Sequence, residues 1–132
     1  MDYDVILEVE DLKTLEDVFE EVRRRLPPTL KKFISRRSNR RKLLAMCGEK
    51  AFLVPSKLKF PVMDQKCRYN CGLLYAAYVR ARQWSGKRPG YRQIAAKAKE
   101  LFDREGCAKK VGLHIEGVGV IDLERFMELS DE

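Results

Sequence analysis

Basic side chains dominate residues 29–47, and binding to a polyanion is the chemistry that this composition favours. The segment contains seven bases and no acid: Lys31, Lys32, Arg36, Arg37, Arg40, Arg41 and Lys42. Lys87 and Arg88 add two bases in a turn-rich stretch, residues 85–90. A solvated helix face would also explain a charge run, but so many unopposed cations exceed what solubility requires. We therefore treat these nine residues as a candidate binding site for nucleic acid or another polyanion.

The charge is unevenly distributed along the chain. The net charge is +7, from 27 Lys and Arg against 20 Asp and Glu. Residues 1–21 hold nine acids and one base, and the tail from residue 115 holds six acids and one base. The middle is therefore strongly cationic and both ends are anionic. This pattern favours nucleic acid or an acidic protein surface as the partner, including self-assembly.

Residues that commonly perform catalysis lack a suitable arrangement. The single histidine, His114, lies in a predicted strand without a nearby nucleophile turn. Gly117 and Gly119 lack the lysine and following helix of a phosphate-binding loop, and no pair of acids stands out as an acid/base couple. We therefore expect a non-enzymatic protein with no catalytic residues, no cofactor and no metal.

The four cysteines are expected to be small buried hydrophobic residues with reduced thiols: Cys47, Cys67, Cys71 and Cys107. Cys67 and Cys71 are four residues apart on a predicted helix, which places them on one face beside Leu74 and Tyr78. A zinc site built from all four is the alternative, although the sequence lacks the close C-x-x-C pairs of common structural sites.

The N-terminus and the hydropathy pattern predict an intracellular protein. Met1 is followed directly by an acidic segment rather than by a basic and then apolar signal. No apolar run reaches membrane-spanning length. We expect a soluble protein located in the cytoplasm or packaged inside something assembled there, with no membrane partner.

Two prolines frame the segment before the central helix. Pro55 and Pro61 are expected to hold Val54 and Phe60 in extended conformations. Asp64 follows at the position where an N-cap belongs, with a carboxylate able to accept from the first free N–H groups of a helix. The predicted structural motif consists of Phe52, Pro55, Phe60, Pro61 and Asp64.

This motif resembles a short module of uncharacterised proteins from tailed bacteriophages and related proviruses. That module has the pattern F-x-x-P-x-(K/R)-x-(K/R)-(Y/F)-P-(I/V)-x-D before an Ala/Leu-rich helix, and it occurs in or beside virion and head-maturation proteins. The matching residues here are Phe52, Pro55, Lys57, Lys59, Phe60, Pro61, Val62 and Asp64. Leu58 and Met63 depart from the usual residue types, and no histidine follows the aspartate. The resemblance covers residues 52–102 only and implies a viral context without an activity. It also implies virion proteins as partners and the virion as an alternative location to the cytoplasm.

Hydrophobic periodicity predicts an α+β, mostly helical single domain over residues 1–132, with a small minor β-sheet. Residues 1–50 form a strand, a helix after Thr14 and then a basic segment that is one weak helix or two short ones. Residues 51–106 hold the proline-framed motif and two helices, the first ending at Trp84 and the second beginning near Tyr91. Residues 107–132 supply short strands, expected to pair with the N-terminal strand, and a closing helix from Leu123 to Leu129.

The function predicted from charge and resemblance is that of a small basic structural, virion-associated or nucleic-acid-associated protein of phage or proviral type. A host-encoded, sequence-tolerant DNA- or RNA-binding protein is the alternative, as is a protein-interaction adaptor. Because the sequence indicates neither an exposed aromatic platform nor a groove-reading helix, any nucleic-acid binding is expected to be poorly sequence-specific.

Overall fold

The computed structural model describes residues 3, 5–8, 21, 23–122 and 125, and it contains both helices and short strands. In chain order the elements are β1 (Val5–Glu8), α1 (Pro28–Ile34), α2 (Arg37–Cys47), β2 (Phe52–Val54), β3 (Lys59–Pro61), α3 (Cys71–Gln83), α4 (Tyr91–Arg104), β4 (Val111–Ile115) and β5 (Gly119–Asp122). Single 3-10 turns occur at Glu49–Ala51, Pro55–Lys57 and Cys107–Lys109. The predicted α+β class is confirmed.

A three-stranded sheet joins the two ends of the described chain. β1 pairs in parallel with β4, and β4 pairs antiparallel with β5. Leu7 lies opposite Leu113 in this register, and both side chains are buried. The Nδ1 atom of His114 lies 2.7 Å from the Glu8 Oε2 atom, which joins the same two strands at their half-exposed edge. The predicted pairing of the N-terminal strand with the segment after Lys110 is confirmed.

The core forms where α3 and α4 pack on this sheet. Leu74 of α3 and Ala98 of α4 are both fully buried. Leu101 and Phe102 continue the buried face of α4, as its periodicity predicted. Gly106 follows the last turn of this helix with a φ of +67°, a left-handed conformation that glycine adopts without steric cost.

The basic segment forms two helices, the second of the two alternatives. Pro28 is the first residue of α1, where its missing N–H and fixed φ are tolerated. The break falls at Ser35 and Arg36, because Arg36 is extended with φ −104° and ψ 131°. Gly48 follows the last residue of α2, with a φ of +83°.

The proline-framed motif is a β-hairpin in which Phe52 of β2 pairs with Pro61 of β3. The expectation that Phe60 is extended is wrong, because its φ is +58°. The chain reverses through the turn Pro55–Lys57 and then Leu58, which is also left-handed with a φ of +54°. The left-handed Phe60 backbone accompanies a T-shaped contact between its ring and Tyr91, with the ring centres 5.7 Å apart.

Asp64 does not cap the central helix, contrary to the sequence-based prediction. The helix begins at Cys71, and Asn70 is its cap, with the Asn70 Oδ1 atom accepting from the Leu73 backbone N–H at 3.0 Å. The Asp64 Oδ1 atom instead accepts from the backbone N–H groups of Lys66 and Arg68, at 2.9 and 3.1 Å. Asp64 therefore closes a local turn of its own before the helix starts.

All four cysteines are paired in disulfides, so the predicted reduced thiols are wrong. Cys47 bonds to Cys67 and Cys71 bonds to Cys107, with the Cα atoms 5.3 Å apart in both pairs. Cys67 lies in the turn before α3 rather than on the helix, so it does not share a helical face with Cys71. With every sulfur in a disulfide, the alternative four-cysteine zinc site does not form.

Two predicted helices lie mostly outside the described residues. Of the one after Thr14, residues 21 and 23–25 are described and are helical, and of the one from Leu123 to Leu129 only residue 125 is described. None of the helices in the described part of the chain is long and apolar enough to span a membrane.

Candidate polyanion-binding cleft

An open cleft of about 470 Å³ lies between α1, the start of α2, β3 and α3, and we call it the basic cleft. Its volume falls within the range of small-ligand sites. Its basic side chains are Arg23, Lys31, Arg40, Lys59, Arg80 and Arg88. Its aromatic side chains are Phe60, Trp84 and Tyr91, and its remaining lining residues are Leu26, Ile34, Ser35, Pro61, Leu73, Ala76 and Ala77.

The floor of the basic cleft is one face of α3. Leu73, Ala77 and Arg80 follow one another at helical spacing, and the helix then ends at Trp84. The small side chains of Ala76 and Ala77 leave the space that the cleft occupies.

Gly72 lies against Leu26, a residue of the cleft lining. A Cβ atom at this position would lie 2.8 Å from Leu26 Cδ2, so glycine permits the close approach of the Leu26 side chain to α3.

The basic cleft is electrostatically one-sided, since six cations and no carboxylate line it among the described residues. The Arg40 guanidinium donates from Nε to the carbonyl oxygen of Ile34 at 2.6 Å and from Nη1 to that of Leu58 at 2.9 Å. Burial lowers the pKa of Arg40, and the neighbouring charge of Arg37 lowers that pKa further. A bound anion would oppose the second effect. The arrangement is therefore suited to hold negative charge.

Aromatic rings and cations alternate at one end of the cleft. The Arg88 guanidinium carbon lies 5.0 Å from the centre of the Trp84 ring and 5.9 Å from that of Tyr91. Lys87 approaches the same Trp84 ring, with its Nζ atom 5.4 Å from the centre. These are cation–π distances, and they hold basic groups beside aromatic faces. Phe60 extends the aromatic group through its contact with Tyr91.

The structure brings three of the nine sequence-predicted basic residues into the cleft: Lys31, Arg40 and Arg88. Five more of the nine are exposed and do not line the cleft: Lys32, Arg36, Arg37, Arg41 and Lys42. Arg36 and Arg37 precede Arg40 by four and three residues, so they lie close to it on the helix surface. Lys87 is exposed beside Trp84.

Sequence reasoning missed three of the cleft cations, Arg23, Lys59 and Arg80, and all of its aromatic residues. Trp84 and Tyr91 are partly buried and line the cleft. A signal was present in the spacing of Arg80, Trp84 and Arg88, which recur every fourth residue through the end of α3. This spacing follows a different face of α3 from that of the more apolar residues around Leu74, on which the prediction of the buried face was based.

The other predicted structural residues support the cleft from one side. Phe60 and Pro61 line it directly, whereas Phe52 is buried against the opposite strand of the hairpin. Pro55 opens the 3-10 turn that leads to Leu58, the residue whose carbonyl oxygen accepts from Arg40. The hairpin thus positions both an aromatic ring and a guanidinium group.

Comparison with known proteins gives no match to this chain among protein-family models, curated proteins or solved structures.

Proposed function

We propose that this protein is a non-enzymatic nucleic-acid-binding protein of phage or proviral type, which holds the phosphate backbone in the basic cleft. The observation that carries the proposal is that the lining has six cations and three aromatic rings but no acid among the described residues. Phosphates bind such cations whatever the nucleotide sequence, and the faces of nucleobases can stack on aromatic rings. Acidic side chains in the lining would repel phosphates.

Three of the cleft cations, Lys31, Lys59 and Arg88, are available for an external anion. Lysine and arginine ion pairs in the described residues involve other groups, for example Lys99 with Asp103 on α4. No carboxylate of the described residues pairs with Lys31, Lys59 or Arg88. Arg40 is held by two carbonyl oxygens, which orient its guanidinium but leave its charge uncompensated.

Binding of this kind is expected to tolerate many sequences. Cations that contact phosphates fix the register of the nucleic acid but read no base edge. The exposed arginines near Arg40, which are Arg36, Arg37 and Arg41, extend the positive surface beyond the cleft. Adjacent phosphates along a strand would follow this surface.

The proposed phage or proviral origin rests on the resemblance of residues 52–102, and the proposed location is the virion. Disulfides persist on virions and in exported proteins but are rare in reducing cytosol, outside hyperthermophiles. The two disulfides therefore favour the virion over a reducing cytoplasm.

Fluorescence anisotropy of labelled oligonucleotides across a salt series tests the proposal. A cleft variant carries Lys31→Ala, Lys59→Ala and Arg88→Ala, and a matched control carries Lys97→Ala, Lys99→Ala and Lys109→Ala, outside the cleft. Both lose the same charge. We expect wild-type affinity to fall steeply with salt, and the cleft variant to bind at least about tenfold more weakly, with a single-strand salt slope reduced by about 2.

The control should lose much less affinity than the cleft variant. Absence of wild-type binding at low salt would refute the proposal, as would equal losses in the two variants. If the cleft variant instead lost self-association while nucleic-acid binding was unchanged, the positive surface would serve assembly and the proposal would fail.

A further inference from the structure

The basic cleft combines two chemistries that a nucleotide also combines. One end presents aromatic rings, with Tyr91 in edge contact with Phe60 and the Arg88 guanidinium lying over the rings of both Tyr91 and Trp84. The rest presents cations around an apolar floor formed by α3. A phosphate backbone alone would need the cations but not the rings or the apolar floor. The lining therefore fits an anion that also carries a flat apolar ring.

The size of the cleft limits what can enter it. A volume of about 470 Å³ suits a ligand of small-molecule size and does not admit a double helix. In a duplex the base faces are covered by their stacked neighbours, so the cleft rings could not reach them. An unpaired base exposes both faces and can stack on aromatic side chains.

The backbone holds one of these rings in an uncommon conformation. Phe60 has a φ of +58°, which non-glycine residues rarely adopt and which must be held by the surrounding structure. The β2–β3 pairing and the following Pro61 hold it, and the Phe60 ring lines the cleft. Strained backbone of this kind clusters at ligand sites.

Arg40 supplies a fixed phosphate-binding group. Its Nε and Nη1 atoms are used by the carbonyl oxygens of Ile34 and Leu58, which set the plane of the guanidinium. An arginine carries five N–H donors, so the guanidinium has further N–H groups that can donate to an anion. Arg36 and Arg37 are exposed close to Arg40 on the helix surface, where flanking phosphates would pass.

We propose that the basic cleft binds one unpaired nucleotide of a single strand, with its base against Trp84, Tyr91 and Phe60 and its phosphate at Arg40. This inference rests on the proposed function and specifies the substrate class as single-stranded rather than duplex nucleic acid. The neighbouring nucleotides of the strand lie along Arg36 and Arg37, outside the cleft.

Trp84 is the single tryptophan of the chain, so its fluorescence reports on the cleft directly. The probes are a short oligothymidylate, an abasic strand of equal length and a duplex of the same length. We expect oligothymidylate to quench Trp84 and to bind roughly tenfold more tightly than the abasic strand, because only the former has bases to stack. The abasic strand and the duplex should leave the fluorescence nearly unchanged.

Two variants at Tyr91 keep the test independent of Trp84. Tyr91→Ala should remove most of the preference for oligothymidylate over the abasic strand, and Tyr91→Phe should retain the preference because it retains the ring. Circular dichroism confirms that each variant is folded.

The failures of the two proposals are distinguishable. Equal binding of all three probes with unquenched Trp84 would overturn the single-nucleotide inference and leave the proposed function standing. Absence of binding by any probe at low salt would overturn both. If vesicles containing phosphatidylglycerol shifted Trp84 emission and oligothymidylate did not, the cleft would take an anionic lipid and this inference would be wrong.

Discussion

The Arg40 guanidinium donates to the carbonyl oxygen of Leu58, 18 residues further along the chain, at a distance of 2.9 Å. A second donation to Ile34 ties the same group to the end of α1. One side chain thus connects α1, α2 and the β2–β3 hairpin, the elements that form one side of the basic cleft. The residue proposed to bind phosphate is also a structural link within the site.

Replacement of Arg40 should therefore affect stability as well as binding. Arg40→Ala removes two hydrogen bonds from a charged donor, and we expect a loss of about 1–3 kcal/mol in the free energy of unfolding. Arg40→Lys should recover only part of it, because an ammonium group lacks the planar fork. Arg41→Ala is the control, since Arg41 is exposed and its loss should cost less than about 0.5 kcal/mol. Equal denaturation midpoints for Arg40→Ala and Arg41→Ala would contradict this.

Asn70 is expected to be the cap on which α3 depends. Asn70→Ala removes the acceptor for the Leu73 N–H and should destabilise the protein by about 0.5–2 kcal/mol. Asn70→Asp and Asn70→Ser keep an acceptor at this position, so both should stay close to the wild type. Urea denaturation measures all three. A midpoint for Asn70→Ala that matches that of Asn70→Ser would show that the cap contributes little.

The two disulfides are expected to be major sources of stability. The paired residues are separated by 20 positions for Cys47–Cys67 and 36 for Cys71–Cys107. From loop-closure entropy, each bond should contribute about 3–4 kcal/mol. Double Cys→Ala variants, one per bond, measure this by thermal unfolding with and without a reductant. Alkylation of all four cysteines in the native protein without reductant would show that the bonds are absent.

Tyr75 should make stability depend on alkaline pH. Burial raises the pKa of Tyr75 to about 12, and the nearby Tyr78 adds to the effect. The unfolded chain has a lower tyrosine pKa, near the ordinary value of 10.0, so the contribution is fully present below pH 10. It is lost as pH rises from about 10 to about 12, by roughly 2–3 kcal/mol. Tyr75→Phe cannot ionise, so the stability difference between it and the wild type should change over this range. A pH-independent difference would refute the assignment.

The features that depend on residues close together in the chain were predictable from the sequence. The sequence predicted the end of α3 at Trp84 and the start of α4 near Tyr91, and both agree with the structure. These features depend on neighbours within a few residues, which the sequence displays directly. The pairing of β1 with β4 also agreed with prediction, because alternating apolar residues marked both strands.

The features that sequence reasoning missed depend on contacts between distant segments. Asp64 and Asn70 both suit an N-cap, and only the packing of α3 decides between them. Cys67 was placed on a helix because its spacing from Cys71 fits one, but its partner is Cys47 on α2. The basic cleft likewise draws lining residues from separate segments, so no local window of the sequence contains it.

Photo-cross-linking tests the central claim, that nucleic acid binds in the basic cleft, most directly. A single-stranded oligonucleotide containing 4-thiothymidine is irradiated with the full-length protein, and the modified residues are identified by mass spectrometry. The account predicts adducts at Phe60, Trp84 or Tyr91, suppressed by an excess of unlabelled single strand and by high salt. Adducts confined to residues 92–110, outside the cleft lining, would contradict it.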